Sequence, residues 1–224
     1  MRNRLIVLFV LGIFLLPGCS YIQKARRTDQ LELENSDLRY KLAQLKKEKV
    51  KAVEQVAEEK NKELSELELA KLELEKSLKK EIGEYKAKLK MTERGLVITF
   101  LSEVFFDSGK NVVKEDGKLS LQKVAEVLNK DVPNSNVAVE GHTDDDRIKY
   151  SAWASNWELS SARALSVLHY LVDECGVPPQ RLSANGYGEF RPVSPNDSPE
   201  NKQKNRRVEI VILPSLISKV VPNN

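Results

Sequence analysis

Hydrophobic and polar positions change texture three times along the chain. Two arginines, Arg2 and Arg4, precede an unbroken apolar run from Leu5 to Leu16. That run falls short of the ~20 apolar residues that a membrane-spanning helix needs, so the layout predicts a cleaved secretory signal. From Thr28 to Glu93 there is no proline and the only glycine is Gly83, while Lys, Glu, Leu and Ala dominate. This composition predicts one long helix.

Within that helix Leu31, Leu38, Leu42, Leu45, Ala52 and Val56 fall at heptad spacing, and so do Leu64, Leu67, Leu74, Leu78 and Tyr85. The two sets are offset by one residue between Glu58 and Lys62, which reads as a local change of supercoil winding. Asn35, Lys49 and Lys71 interrupt the seam, and polar residues there can set register or oligomer state. Two readings stay open: a coiled coil that forms a homo-oligomer, and a lone helix held by i,i+4 Glu–Lys pairs. Either gives a stalk of about 100 Å at ~1.5 Å per residue.

Past Gly95 the pattern shortens. Leu96–Phe100 and Val104–Phe106 read as strands, with a turn at Asp107-Ser108-Gly109. Leu121, Val124, Ala125 and Leu128 mark an amphipathic helix, and Val137–Val139 a strand ending at Gly141. Ser155 and Glu158 have capping-box spacing and open a second helix, which Gly176, Pro178 and Pro179 stop near Cys175. Arg181–Ala184 reads as a short edge strand, Pro192–Lys204 as a loop, and Val208–Leu213 as a final strand of period two. The order β-α-β-α-β-β predicts an α/β two-layer sandwich, a mixed sheet with helices on one face.

Composition adds two constraints. Aromatics are 6% and charged residues 31%, so part of the chain is solvated rod or linker rather than packed core. The net charge of +3 falls towards neutrality once the leader's arginines are removed. That speaks against a nucleic-acid partner, which needs a concentrated basic face.

Leu16-Pro17-Gly18-Cys19 resembles a bacterial lipobox. The resemblance implies cleavage before Cys19, acyl chains on that residue and anchorage to a membrane; Ser20 after it implies outer-membrane sorting. Several chains on one residue anchor stably where a single chain does not. Cys175, left unpaired in an apolar helical stretch, reads as a buried structural thiol. The chain is accordingly partitioned into a signal peptide (1–18), a lipidated cysteine and linker (19–27), a helical coiled-coil stalk (28–94), a globular domain (95–214) and a tail (215–224).

Two stretches carry the candidate chemistry: Gly141-His142-Thr143-Asp144 at a strand end, and Asn156 to Ala164 at a helix start. With Phe106-Asp107-Ser108-Gly109, Gly186-Tyr187-Gly188-Glu189 and Asn205–Ile210, they resemble the OmpA C-terminal family. That family is shared with peptidoglycan-associated lipoproteins and the periplasmic domains of flagellar stator proteins. The resemblance implies peptidoglycan binding, with Asp144 and Arg163 holding the diaminopimelate of the stem peptide. It further implies that Thr143, Asn156 and Leu159 shape the pocket, and that Arg207 matches a family arginine near it. The chemistry suits a zwitterion, since a guanidinium grips a carboxylate in a fork and a carboxylate accepts from an ammonium. The bland alternative is that Asp144 and Arg163 pair with each other. The segment Asp145–Ser155 looks more like the stator-type version.

No catalysis and no cofactor are expected. His142 and His169 are the only histidines, no cluster has metal-ligand spacing, and Asp144-Asp145-Asp146 lacks the alternate spacing of a calcium loop. His142 reads as a structural turn residue. A stator-like role, or a scaffold in which the stalk binds a protein partner, is the rival to a membrane-to-wall tether.

Overall fold

A computed structural model describes residues 2–148 and 153–214, with side chains from residue 21 onward. The expected signal peptide and the acylation of Cys19 rest on side chains that lie outside those described, and the tail from residue 215 lies outside too. The chain divides into two units, Met1–Glu58 and Glu59–Asn224. Among the described residues no helix is long and apolar enough to cross a membrane.

Helix α1 spans Arg2–Ser77 and takes in the first fifty residues, Thr28 to Ser77, of the segment that lacks proline. In the first unit its heptad leucines find no intramolecular partner: Leu31, Leu38, Leu42, Leu45 and Val56 are all more than half exposed. In the second unit the middle of the stripe is used, while Leu64 (47%) and Tyr85 (90%) stay exposed. Leu67, Ala70, Leu74 and Leu78 are buried in the same core as the sheet. The one-residue offset therefore falls where the unit boundary lies, at Glu58. Before that boundary the apolar stripe is exposed, and after it much of the stripe is buried.

The stalk also ends earlier than residue 94. A short helix α2, Lys79–Gly83, leads through Tyr85, whose φ of 58° turns the chain, into strand β1, Ala87–Thr92. Ala87, Leu89 and Met91 face inward while Lys88 and Lys90 are exposed. This is a period-two pattern hidden in a Lys- and Leu-rich composition that favours helix. Glu93 and Arg94 close a two-residue hairpin to β2, Gly95–Leu101, with Thr92 opposite Gly95.

The predicted strand at Val104–Phe106 is instead a single helical turn, α3, Ser102–Phe105. It drives the Phe105 ring against Phe100, with centroids 4.9 Å apart. There follow α4 (Glu115–Lys130), β3 (Asn136–His142), α5 (Asn156–Asp173) and β4 (Leu182–Gly186). The stretch read as a loop contains α6, Pro199–Asn205, before β5, Arg207–Leu213. Ser198 caps α6 and Pro199 occupies its first turn, an N-terminal signature present in the sequence.

The sheet has the order β1-β2-β5-β3-β4, antiparallel except for the β3–β4 pair, which α5 connects. Leu96, Ile98, Phe100, Val137, Val139, Val208, Ile210 and Ile212 join the helices in one core. The other face carries only a small apolar cluster of Val97, Ala138 and Val211. The architecture is the expected α/β sandwich with a mixed sheet.

Leu74→Ala should lower the stability of the second unit by about 2–5 kcal/mol, the usual cost of emptying a buried leucine site. Leu38→Ala should leave that transition unmoved. Denaturant unfolding of the full chain followed by the fluorescence of Trp153 and Trp157, both in the second unit, checks the contrast.

Candidate functional site

The site is assembled by one close packing and one register. A Cβ on Gly141 would lie 2.1 Å from the Ser160 carbonyl oxygen, and one on Gly186 2.1 Å from Ser161 Oγ. These two glycines face each other across the parallel β3–β4 pair. Their lack of side chains lets the first turns of α5 sit directly on the strand ends. Ser155 caps α5, its Oγ accepting from Glu158 N–H, and Glu158 reaches back to accept from Ala154 N–H. The helix thus starts at a fixed residue, which fixes the directions of Asn156, Leu159 and Arg163.

The register that places His142 opposite Arg207 does the rest. It brings Thr143 and Asp144, just past β3, beside Arg206, just before β5. A pocket of about 600 Å³ opens there, lined by Ser102, Phe106, Asp107, Thr143, Asp144, Asn156, Leu159, Arg163 and Arg206 among others. Five of the six residues expected from sequence are therefore brought together.

Their interactions are specific. Asp144 is 5% exposed; it accepts from Arg206 Nη1 at 2.5 Å and from Asp146 N–H at 3.2 Å. Arg163, 6% exposed, donates to the carbonyls of Lys110 (3.0 Å) and Asp107 (3.2 Å). Its guanidinium lies 5.2 Å from the centroid of the Phe106 ring. Burial, with a smaller push from Arg206, lowers its pKa to about 10, and the Asp144 carboxylate partly restores it. The guanidinium stays charged at neutral pH.

Asp144 and Arg163 do not pair with each other, so the bland alternative is not what the fold builds. Asn156 Nδ2 donates to Glu189 (2.7 Å) and to the carbonyls of Asp146 (3.1 Å) and Asp144 (3.3 Å). Thr143 Oγ1 and Ser102 Oγ are buried here without a protein partner.

Arg207 is the exception and a correction to the expected set. Side chains alternate across a strand, so consecutive arginines at the start of β5 point to opposite sides. Arg206 enters the pocket. Arg207 goes through the sheet to bond Glu209 (2.6 Å) and the Arg191 carbonyl (3.0 Å). The acidic run is likewise neutralised from α6: Lys202 pairs with Asp145 (2.9 Å) and Asp146 (2.7 Å), which raises its pKa. Asn205, fully buried, pins the 193–196 turn by accepting from Val193 and Ser194 N–H and donating to the Ser194 carbonyl and Asn196 Oδ1. Sequence reading missed Lys202 because it took Pro192–Lys204 for a loop; the Ser198-Pro199 cap was the available signal.

On the opposite face the same register stacks Glu140 opposite Glu209 and His142 opposite Arg207. Potential ligand atoms of Glu140, His142 and Glu209 lie within 4.8 Å of one another, a cluster that residue spacing did not reveal. It is ringed by guanidinium groups. Arg94 bonds Glu140, Arg207 bonds Glu209, and Arg191 stacks on Tyr187, itself stacked on His142. Three cations around two carboxylates oppose an added cation, and no metal role is assigned to the cluster. Burial first, then Arg207, Arg191 and Arg94, pushes the His142 pKa down to about 3. His142 is a neutral structural residue.

Residues 105–206 match the model of the OmpA family. The chain is 39% identical to motility protein B of Bacillus subtilis over 149 residues, which is 66% of this chain and 57% of that protein. It thus spans little more than half the length of that curated relative. Among solved structures, the cell wall anchor of the T6SS from Pseudomonas aeruginosa superposes with a TM-score of 0.57 at 30% identity, covering 63% of this chain and 96% of that one. A MotB-like protein from Desulfovibrio vulgaris gives 0.63 at 27% identity, covering 69% and 94%. An α/β sandwich with a charged pocket at the β3–α5 junction is the class defined by fold and site. The C-terminal domain of the chain belongs to the OmpA family.

His142 generates a pH prediction. A base whose folded pKa is depressed takes up protons preferentially in the unfolded chain, so its effect is absent above pH ~6.5 and destabilises as pH falls towards about 3. His142→Phe, which keeps a ring against Tyr187, should flatten the fall in stability across that window relative to wild type. Unfolding midpoints measured from pH 7 to pH 3.5 check it, and parallel curves would contradict it.

Proposed function

We propose that this chain is a non-catalytic tether that binds peptidoglycan through its OmpA-like domain and is held to a membrane by acyl chains on Cys19. One observation carries the reading: a pocket in which a buried carboxylate and a buried guanidinium, not bonded to each other, stand on separate elements. Asp144 accepts the ammonium of the stem-peptide diaminopimelate, displacing Arg206, and Arg163 takes its carboxylate. Two charges of opposite sign at fixed places read the polarity of a zwitterion as well as its charge. Thr143 Oγ1 offers an unused hydrogen-bonding group, Leu159 an apolar wall, and Asn156 fixes the Asp144 backbone. Arg206 neutralises Asp144 until ligand arrives. The similar structure that is itself a cell wall anchor supports this reading.

The lipobox and the apolar leader support anchorage, to the outer membrane by the Ser20 rule, with the domain in the periplasm. The exposed stripe Leu31, Leu38, Leu42, Leu45 and Val56 supports self-association of the helical segment as a coiled coil. A second reading makes the chain a stator-like or scaffold component of an envelope complex, in which that helix binds a protein partner. The likeness to motility protein B favours it, because the 149 residues aligned exceed the 102 of the family match.

Asp144→Ala and Arg163→Ala should each abolish co-sedimentation with purified sacculi while circular dichroism stays unchanged; retention by both overturns the assigned site. Soluble fragments released from those sacculi by the wild-type chain would overturn the non-catalytic reading. Radiolabelled palmitate should enter the wild-type chain and be lost in Cys19→Ala, and an unlabelled wild type removes the lipid anchor.

A further inference from the structure

Beside the pocket, two large aromatic rings stand in solvent. Trp157 is 47% exposed and Phe190 61%, yet they stack face to face with centroids 5.0 Å apart and planes 22° apart. The stack uses one face of each ring, and both side chains keep about half or more of their surface in solvent. We infer that Trp157 and Phe190 form a second subsite for the glycan backbone of the same wall polymer; this rests on the peptidoglycan reading above.

The pair is continuous with the pocket. Trp157 follows Asn156 in α5 and Phe190 follows Glu189, and the 2.7 Å bond from Asn156 Nδ2 to Glu189 joins the two segments. The same amide holds the Asp144 carbonyl. The turn that carries Phe190 is rigidly held. Gly188 adopts φ +54°, its N–H donates to the buried Ser160 Oγ (2.9 Å), and its carbonyl accepts from Thr143 N–H (2.9 Å). Phe190 N–H closes the turn onto the Tyr187 carbonyl at 3.2 Å. A preorganised pair of this kind loses little side-chain freedom on binding.

The occupant follows from the chemistry. Two stacked aromatic rings exposed together offer a surface that a ligand can cover. A pyranose ring offers an apolar face of C–H bonds rimmed by hydroxyls, which stacks on an indole or phenyl face and needs no charged partner. In the wall polymer the stem peptide hangs from such a ring. A peptide end held at Asp144 and Arg163 therefore brings a sugar within one stem length of the pair. The pocket reads the charged end of the ligand and the aromatic pair its neutral backbone.

The test compares three soluble probes by calorimetry with the full chain: the stem tripeptide ending in diaminopimelate, the same tripeptide on its disaccharide, and the disaccharide alone. The wild-type chain should bind the disaccharide-tripeptide about tenfold more tightly than the free tripeptide, the scale of one aromatic stacking contact. Phe190→Ala and Trp157→Ala should each remove that gain and leave tripeptide affinity unchanged. Equal affinity for the two peptides in the wild type overturns the glycan subsite while sparing the pocket, and so does a gain that survives in both variants. A change of oligomeric mass in Phe190→Ala, with no glycan gain in the wild type, assigns the pair to a contact between copies. Binding of none of the probes sinks the pocket reading and the subsite together.

Discussion

Everything at the binding end depends on how closely α5 approaches the sheet. Gly141 and Gly186, paired across β3 and β4, admit the backbone at Ser160 and Ser161 to distances that a methyl group would forbid. Asn156, Leu159 and Arg163 are aimed by that contact, and the Gly188 turn bonds the same serine hydroxyl. The pocket is thus a product of packing between a helix and two strand ends, with little left to loop conformation. A basic residue from outside, Arg206, completes it because the β3–β5 register ends where it does.

The antiparallel register has a second effect on the far side of the sheet. Glu140, His142, Arg207 and Glu209 share that face by simple alternation and are paired off through Arg94 and Arg207. Motif residues of one sequence stretch therefore serve opposite faces: Asp144 and Arg206 line the pocket, whereas His142 and Arg207 hold the sheet's polar layer. The net result separates the charges that can be exchanged from those committed to the fold.

Much of this was legible in the sequence. Period-two and period-3.6 patterns located β2, β3, β5, α4 and α5, and the family motifs located Asp144, Asn156, Leu159 and Arg163. The failures have physical causes. β1 was concealed because lysines at alternate positions carry high helix propensity while their neighbours pack inward. Val104–Phe106 has strand composition but only one turn of room before Asp107. Arg206 and Arg207 could not be told apart because two adjacent arginines are equivalent until a strand assigns them faces. The Glu140–His142–Glu209 grouping required a register between segments some seventy residues apart, which no local pattern encodes.

The fate of the second heptad set has a mechanical meaning. Leu67, Ala70 and Leu74 lie on successive turns of α1, Leu78 follows just past its end, and all four are seated in the core of the second unit. A load drawn along the helix from its N-terminal side enters that unit through the Glu59–Ser77 segment before it reaches β1. Several side chains must then slide out of the core together, a shearing geometry that shares the force. Had the helix joined the sheet at β1 directly, the same load would have peeled an edge strand one hydrogen bond at a time.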